Sequence, residues 1–358
     1  MSQISFYDPR KSYEQNYDEG PFGAFADGNI YQQTGEPSHN YLGQQVYLPF
    51  GIPAGPVINS NFVKAAFVKG FDVVVYKTIR TDFFPCHPFP NILALHPQGN
   101  LSLNILQNPL QADTNYTQPL SITNSFGVPS KKVETWQEDA KKAISYAGKG
   151  QVLVMSFMGT VKPDQTQLEF VQDYILAAKL AVETGAKVLE TNLSCPNIGN
   201  EGLVCYNLEV TKKIAAGIRS RIGNLPLTLK IGYYQDDNQL EQLAEIANEY
   251  ANAVAGINTL QAQIVNKKGE QALPGKGRAR SGVCGAGIKW AGIETVKRLK
   301  HIREKRNFKF SIEGIGGVMT PDDYSDYIAA GADSIMSATG AMWNPFLAQE
   351  IKMGVKKL

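Results

Sequence analysis

The chain is poor in cysteine, net charge, long apolar runs and histidine, and each shortage excludes a class of protein. Four cysteines in 358 residues, at 86, 195, 205 and 284, are too few for a disulfide framework. Lys and Arg exceed Asp and Glu by only two, 35 against 33. That balance gives no global field for nucleic acid or an anionic membrane, and no basic element is interleaved with aromatics. No run of about 18 apolar residues could span a bilayer. The opening MSQISFYDPRKSYEQNYDEG is polar and lacks the apolar core of a signal peptide. Neither a membrane nor a nucleic-acid partner is expected, and the default setting is reducing and cytoplasmic. Histidine is also scarce, with four residues. Cys86, His87 and His96 have no fourth partner at a recognisable metal spacing, so no metal is expected.

What is present is a hydrophobic fraction of 43% and a repeated alternation of element types. Residues 1–45 stand apart: rich in Tyr, Gln, Asn, Asp and Gly, they carry no sustained periodicity. Phe22, Phe25, Tyr31 and Tyr41 give them apolar anchors that disordered tails seldom have. They read as an extension that wraps the main domain or serves an oligomer contact. From residue 46 to 358, short apolar runs alternate with longer helix-periodic ones. Strands are expected near 48–56, 73–78, 152–157, 188–195, 227–232, 255–260, 308–316 and 334–339. Helices are expected at 61–69, 134–147, 167–184, 208–221, 238–250, 288–304, 321–330 and 345–356. Asn61 and Thr320 are candidate N-caps, and Gly70, Gly185 and Gly331 stand where helices should end. Eight strand–helix pairs with buried, nearly continuous apolar strands imply an α/β fold, a closed (β/α)8 TIM barrel. Two stretches exceed a minimal barrel. A long insertion after strand two, 79–129, suggests a hairpin or lid, and the other runs over 261–285.

On this map polar residues gather at strand C-termini, the end where barrels carry chemistry. Lys77 and Thr78 end strand two, Asn192 and Cys195 strand four, Lys230 strand five, and Asn258 and Thr259 strand six. Gly316 and Gly317 follow strand seven, and Ala338 and Thr339 end strand eight. Buried ammonium groups need anionic partners, and no acidic residue adjoins either lysine in sequence, so a bound anion is the expected one. The glycines of EGIGGV suit a phosphate site in the loops after strands seven and eight. In NLSCPN, Asn192 to Asn197, Pro196 ends the strand and amides flank Cys195. A thiol near two ammonium groups is a candidate proton acceptor. Use of Cys195 as a hydrolytic nucleophile would need a nearby histidine. None of His39, His87, His96 and His301 ends an expected strand.

From about Tyr47 onward these motifs resemble the dihydroorotate dehydrogenases and the related pyrimidine domain of dihydropyrimidine dehydrogenases. NLSCPN is the most specific match, and YKT, LKIG, INT, SGVCGAGIK and GIGGV follow in family order. The resemblance implies one bound FMN. By it, Ala54, Gly55, Lys77, Thr78, Asn192 and Lys230 would contact the flavin. Gly282, Gly316, Gly317, Ala338 and Thr339 would approach its phosphate. Asn124 and Gly127 in ITNSFGVP, with Asn192, Asn197, Asn258 and Thr259, would bind a pyrimidine. Cys195 would be the base in oxidation of dihydroorotate to orotate, with hydride passing to flavin N5 and Lys77 also in the catalytic set. A sister activity on dihydrouracil or another cyclic enoyl or amide substrate is the alternative. A cysteine base is similar to the soluble branch, since the membrane-associated branch has serine there. The resemblance also favours a homodimer. Fumarate, or NAD through a separate electron-transfer subunit, stays open as acceptor.

Overall fold

Eight short strands pair in parallel and close on themselves in this computed structural model, which describes residues 5–194 and 203–355. In chain order they are Phe50–Ile52, Val73–Ile79, Val152–Phe157, Val188–Asn192, Leu227–Lys230, Ala253–Gly256, Ser311–Ile315 and Ser334–Met336. They are called barrel strands one to eight below. The helices between them begin and end within a residue or two of the positions the periodicity predicts. The fold is therefore the (β/α)8 barrel.

Period-two alternation explains the layering. Val73, Val75, Val152, Val154, Val188, Ala255 and Met336 point inward and pack as one cluster. Their neighbours Val74, Leu153, Leu189, Val254 and Ile335 face the helices. Gly51 is required by closeness of approach, because a Cβ there would lie 1.8 Å from the Val73 carbonyl oxygen. A two-stranded hairpin, His39–Tyr41 with Gln44–Val46, sends Tyr41 and Val46 into the same inner cluster. It packs where the barrel strands begin.

The N-terminal stretch is packed rather than loose. Phe6, Tyr7, Tyr13 and Phe25 are buried in the main core, with Phe6 edge-on to Phe62 at 4.8 Å. Buried Asp72 accepts from Gln33 at 3.1 Å, from the Leu48 amide at 2.8 Å and from Lys352 at 2.8 Å. One carboxylate thus ties the extension, the first strand and the last helix together. Burial raises that carboxyl to about 6, even with the Lys352 ammonium opposing the rise.

Two local expectations change. The cap of the helix Ser60–Val68 is Asn59, whose side chain accepts from the Asn61 and Phe62 amides; Asn61 lies inside the first turn. Thr320 does cap its helix, in a reciprocal box with Asp323. The run 255–260 is two elements: barrel strand six ends at Gly256, and Leu260 opens a strand of another sheet.

That second sheet unites the two insertions. Ile92–Leu95, Leu110–Asp113 and Ser121–Asn124 come from the first, and Leu260–Val265 and Arg280–Gly285 from the second. The five close into a small barrel with its own core, including Leu93, Leu95, Leu106, Leu260, Ile264 and Val283. Residues of this sheet border the cavity at the C-terminal ends of the main barrel strands. Among the described residues, no helix is long and apolar enough to cross a membrane.

Candidate active site

Parallel strands deliver their last inward residues to one rim, and there the polar residues meet. One cavity of about 1020 Å3, open mouth included, is lined by Ala54, Gly55, Lys77, Thr78, Asn192 and Lys230. Asn124, Gly127, Asn258, Thr259, Ala338 and Thr339 complete its polar and small-residue wall. Gly282, Gly316 and Gly317 are not among its described lining residues. Gly282 instead backs onto Thr259, where a Cβ would come within 2.6 Å of Oγ1. Gly316 and Gly317 form the turn after strand seven at φ 126° and 68°, with the Gly316 carbonyl held by the Tyr327 hydroxyl at 2.6 Å. Cys195 and Asn197 lie outside the described residues.

Both lysines are buried, Lys77 at 8% exposed and Lys230 at 2%. Lys230 Nζ donates to the Ala54 carbonyl at 3.2 Å. The barrel also supplies an acidic neighbour that no sequence adjacency reveals. Glu313 of strand seven feels the Lys230 charge, and burial with the Glu190 charge pushes its carboxyl up to about 7. A ligand is therefore not the only anion within reach of Lys230.

The approach to the NLSCPN loop is fixed by hydrogen bonds. The Leu193 amide donates to the Lys230 carbonyl at 3.0 Å. Asn192 Oδ1 accepts from the Ser194 amide at 3.1 Å, and Asn258 Nδ2 donates to the Ser194 carbonyl at 2.7 Å. Two amides that line the cavity thus also fix Ser194 at the end of strand four.

Opposite, Arg80 donates to the carbonyls of Gly127 and Val128 at 3.1 and 2.9 Å. Arg278 donates to the Ser125 carbonyl at 2.9 Å, so two buried guanidiniums hold the loop after Asn124. Asn124 Nδ2 also donates to Cys284 Sγ at 3.3 Å. Cys284 also lines the cavity, and burial raises its thiol above the ordinary value. Tyr7, Phe126 and Met342 line it too, with Tyr7 edge-on to Phe126 at 5.5 Å. Nothing local marks Tyr7, more than forty residues before the first strand, as a wall of this site. The one available signal was its place in an aromatic-rich segment. His87 contacts Ser125 and His96 contacts Asp113. Cys205 is buried, and burial pushes its thiol up to about 12.

Fold and site together define a (β/α)8-barrel enzyme whose chemistry sits at the C-terminal rim. The dihydroorotate dehydrogenase family model matches residues 111–358. A dihydroorotate dehydrogenase of Dictyostelium discoideum is 37% identical, over 96% of this chain and 95% of its own. The catalytic subunit of a dihydroorotate dehydrogenase B (NAD(+)) from Thermodesulfovibrio yellowstonii is 27% identical, over 68% and 74%. Among solved structures, the Eimeria tenella enzyme in complex with ferulenol superposes with a TM-score of 0.69 at 17% identity, over 92% of this chain and 87% of that one; this likeness speaks for the fold. The chain belongs to the dihydroorotate dehydrogenase family. It is an oxidoreductase acting on a CH–CH bond, in a family that is flavin-dependent in general.

Proposed function

We propose that this protein oxidises dihydroorotate to orotate using bound FMN. The observation that carries the reading is the convergence on one cavity of side chains from barrel strands two, four and five with the loops after strands one, six and eight. The donor set suits a flavin. Two buried ammonium groups and several amides face a cavity whose remaining wall is built from small residues such as Ala54, Gly55 and Ala338. Cations and amides of this kind match a polar, electron-accepting ring and its negative charge.

When bound, the flavin supplies a hydride acceptor for C6 of the substrate. The chain's own residues do the rest. Lys77, Thr78, Asn192 and Lys230 would hold the ring, and the two ammonium groups would supply positive charge beside it. Thr339 at the cavity wall, with Gly282, Gly316 and Gly317 behind it, would allow close backbone approach at the phosphate end. Asn124, Asn192, Asn197, Asn258 and Thr259 bind the pyrimidine amides and carboxylate. Cys195 Sγ takes the proton from C5, and loss of that proton and the C6 hydride leaves the ring double bond. The bonds from Asn192 and Asn258 hold Ser194, the residue before Cys195 in the chain.

Steady-state turnover with dihydroorotate and with dihydrouracil tests the reading. A kcat/KM at least about a hundredfold higher for dihydroorotate is expected, and preference for dihydrouracil would overturn the assignment. Repeating the assay with fumarate and with NAD identifies the acceptor. The family resemblance favours a homodimer, which sedimentation of the purified protein checks.

A further inference from the structure

Below the rim, the barrel interior holds two carboxyl groups that the reaction does not use. Glu190 of strand four and Glu313 of strand seven are each 1% exposed. Both face inward. Glu190 lies two residues before Asn192, and Glu313 two before Ile315, and both of those residues line the cavity. Glu313 Oε1 accepts from the Tyr41 hydroxyl at 3.2 Å and from Thr228 Oγ1 at 2.9 Å. Among the described residues, Glu313 Oε2 and both Glu190 oxygens have no hydrogen-bond partner, nor does the neighbouring Ser334 Oγ. The Glu190 charge acts on Glu313, and Tyr41 senses both carboxyls.

The surroundings leave few ways to balance two negative charges. Strands two and three present Val73, Val75, Val152 and Val154, strand six Ala255, and strand eight Met336. The charged or titratable groups facing the pair are Tyr41 from the hairpin and Lys230 from strand five, with Lys77 higher at the rim. Two ionised carboxylates in so apolar a space are costly, and orphaned carboxylate oxygens compound that cost. A single shared proton removes one charge and supplies a donor for one orphaned oxygen. Lys230 is the link to the cavity, since it lines the cavity floor and its charge acts on Glu313.

We propose that Glu190 and Glu313 are positioning residues for the redox site: together they hold one exchangeable proton, and its gain or loss changes the field that Lys230 presents to the cavity floor. The second half of this statement rests on the flavin reading. Negative charge added to the cavity draws the proton onto the pair, so reduction of a bound flavin is accompanied by proton uptake near neutrality. The pair itself undergoes no oxidation.

Two measurements test it. In the FMN-free protein at about pH 6, below the value near 7 to which Glu313 is driven, infrared absorption should show a protonated carboxyl. That band should be missing from the Glu190→Gln/Glu313→Gln double variant, and wild-type and double-variant spectra that coincide would overturn proton sharing. Should the double variant fail to fold, each single glutamine variant gives the same comparison. In the FMN-loaded protein, the midpoint potential is followed from about pH 5.5 to about pH 8.5. Wild type should show a steeper dependence around neutrality than Glu313→Gln or Glu190→Gln, and identical slopes in all three would overturn the coupling. A protein that takes up no flavin would overturn both the flavin reading and the coupling, while the infrared comparison alone decides proton sharing.

Discussion

Replacing Glu313 by glutamine should change how stability depends on pH, by an amount the barrel interior specifies. Burial and the Glu190 charge lift the Glu313 carboxyl from 4.5 to about 7. The folded protein therefore keeps a proton that the unfolded chain has already released. That contribution is fully present below about 4.5 and is lost as pH rises through about 7. The gap corresponds to roughly 3 kcal/mol, most of which falls between about pH 5 and about pH 8. Glutamine keeps the shape and the Tyr41 and Thr228 contacts and cannot titrate. Urea unfolding at the two pH values, followed by tryptophan fluorescence, gives the comparison, provided the slope of free energy on urea is the same in both proteins. Wild type should lose roughly 2–3 kcal/mol more than the variant on going to the higher pH. Asp72 is also raised, to about 6, but it titrates in both proteins and cancels in the difference. Equal losses would show that Glu313 carries no retained proton and would refute the reasoning.

Three further outcomes follow from the site. Cys195→Ser should keep bound flavin yet slow its reduction by dihydroorotate at neutral pH by roughly 10²–10⁴, because a hydroxyl is a far weaker base; an unchanged rate in anaerobic stopped flow removes Cys195 from that role. Lys230→Gln should slow the same step by about 10²–10³, and a variant as fast as wild type would show that the buried ammonium stabilises nothing in the reaction. Gly317→Ala meets two obstacles, a backbone φ of +68° and a Cβ placed 2.7 Å from Lys289 Cβ. It should cost about 2 kcal/mol of stability and weaken FMN binding about tenfold, as read from quenching of flavin fluorescence; wild-type affinity would exclude this loop from the phosphate site.

The barrel was legible because its strands are nearly continuous apolar runs and its helices keep a 3.6-residue period with clear boundaries, as with the start at Thr320 and the stop at Gly331. The rim was legible for the same reason: once strand ends are known, Lys77, Asn192, Lys230 and Thr339 fall at one level. What escaped depends on distance in the chain. Pairing of Ser121–Asn124 with Arg280–Gly285 joins segments more than 150 residues apart, and no local pattern announces it. The run at 255–260 hid a change of sheet because its apolar residues serve both sheets in turn. Tyr7 and Cys284 reach the cavity through tertiary packing that composition does not encode. Glu190 and Glu313 left a signal that went unread. A lone acid inside each of the apolar runs VLETN and SIEGI marks a charge that the barrel must accommodate.

Anaerobic titration of the purified, FMN-reconstituted protein with dihydroorotate tests the central claim most directly. The account predicts a yellow protein whose flavin absorbance is bleached by one equivalent of dihydroorotate per site, with orotate formed in equal amount. A protein that takes up no FMN, or whose flavin stays oxidised in excess dihydroorotate while dithionite reduces it, would contradict the account.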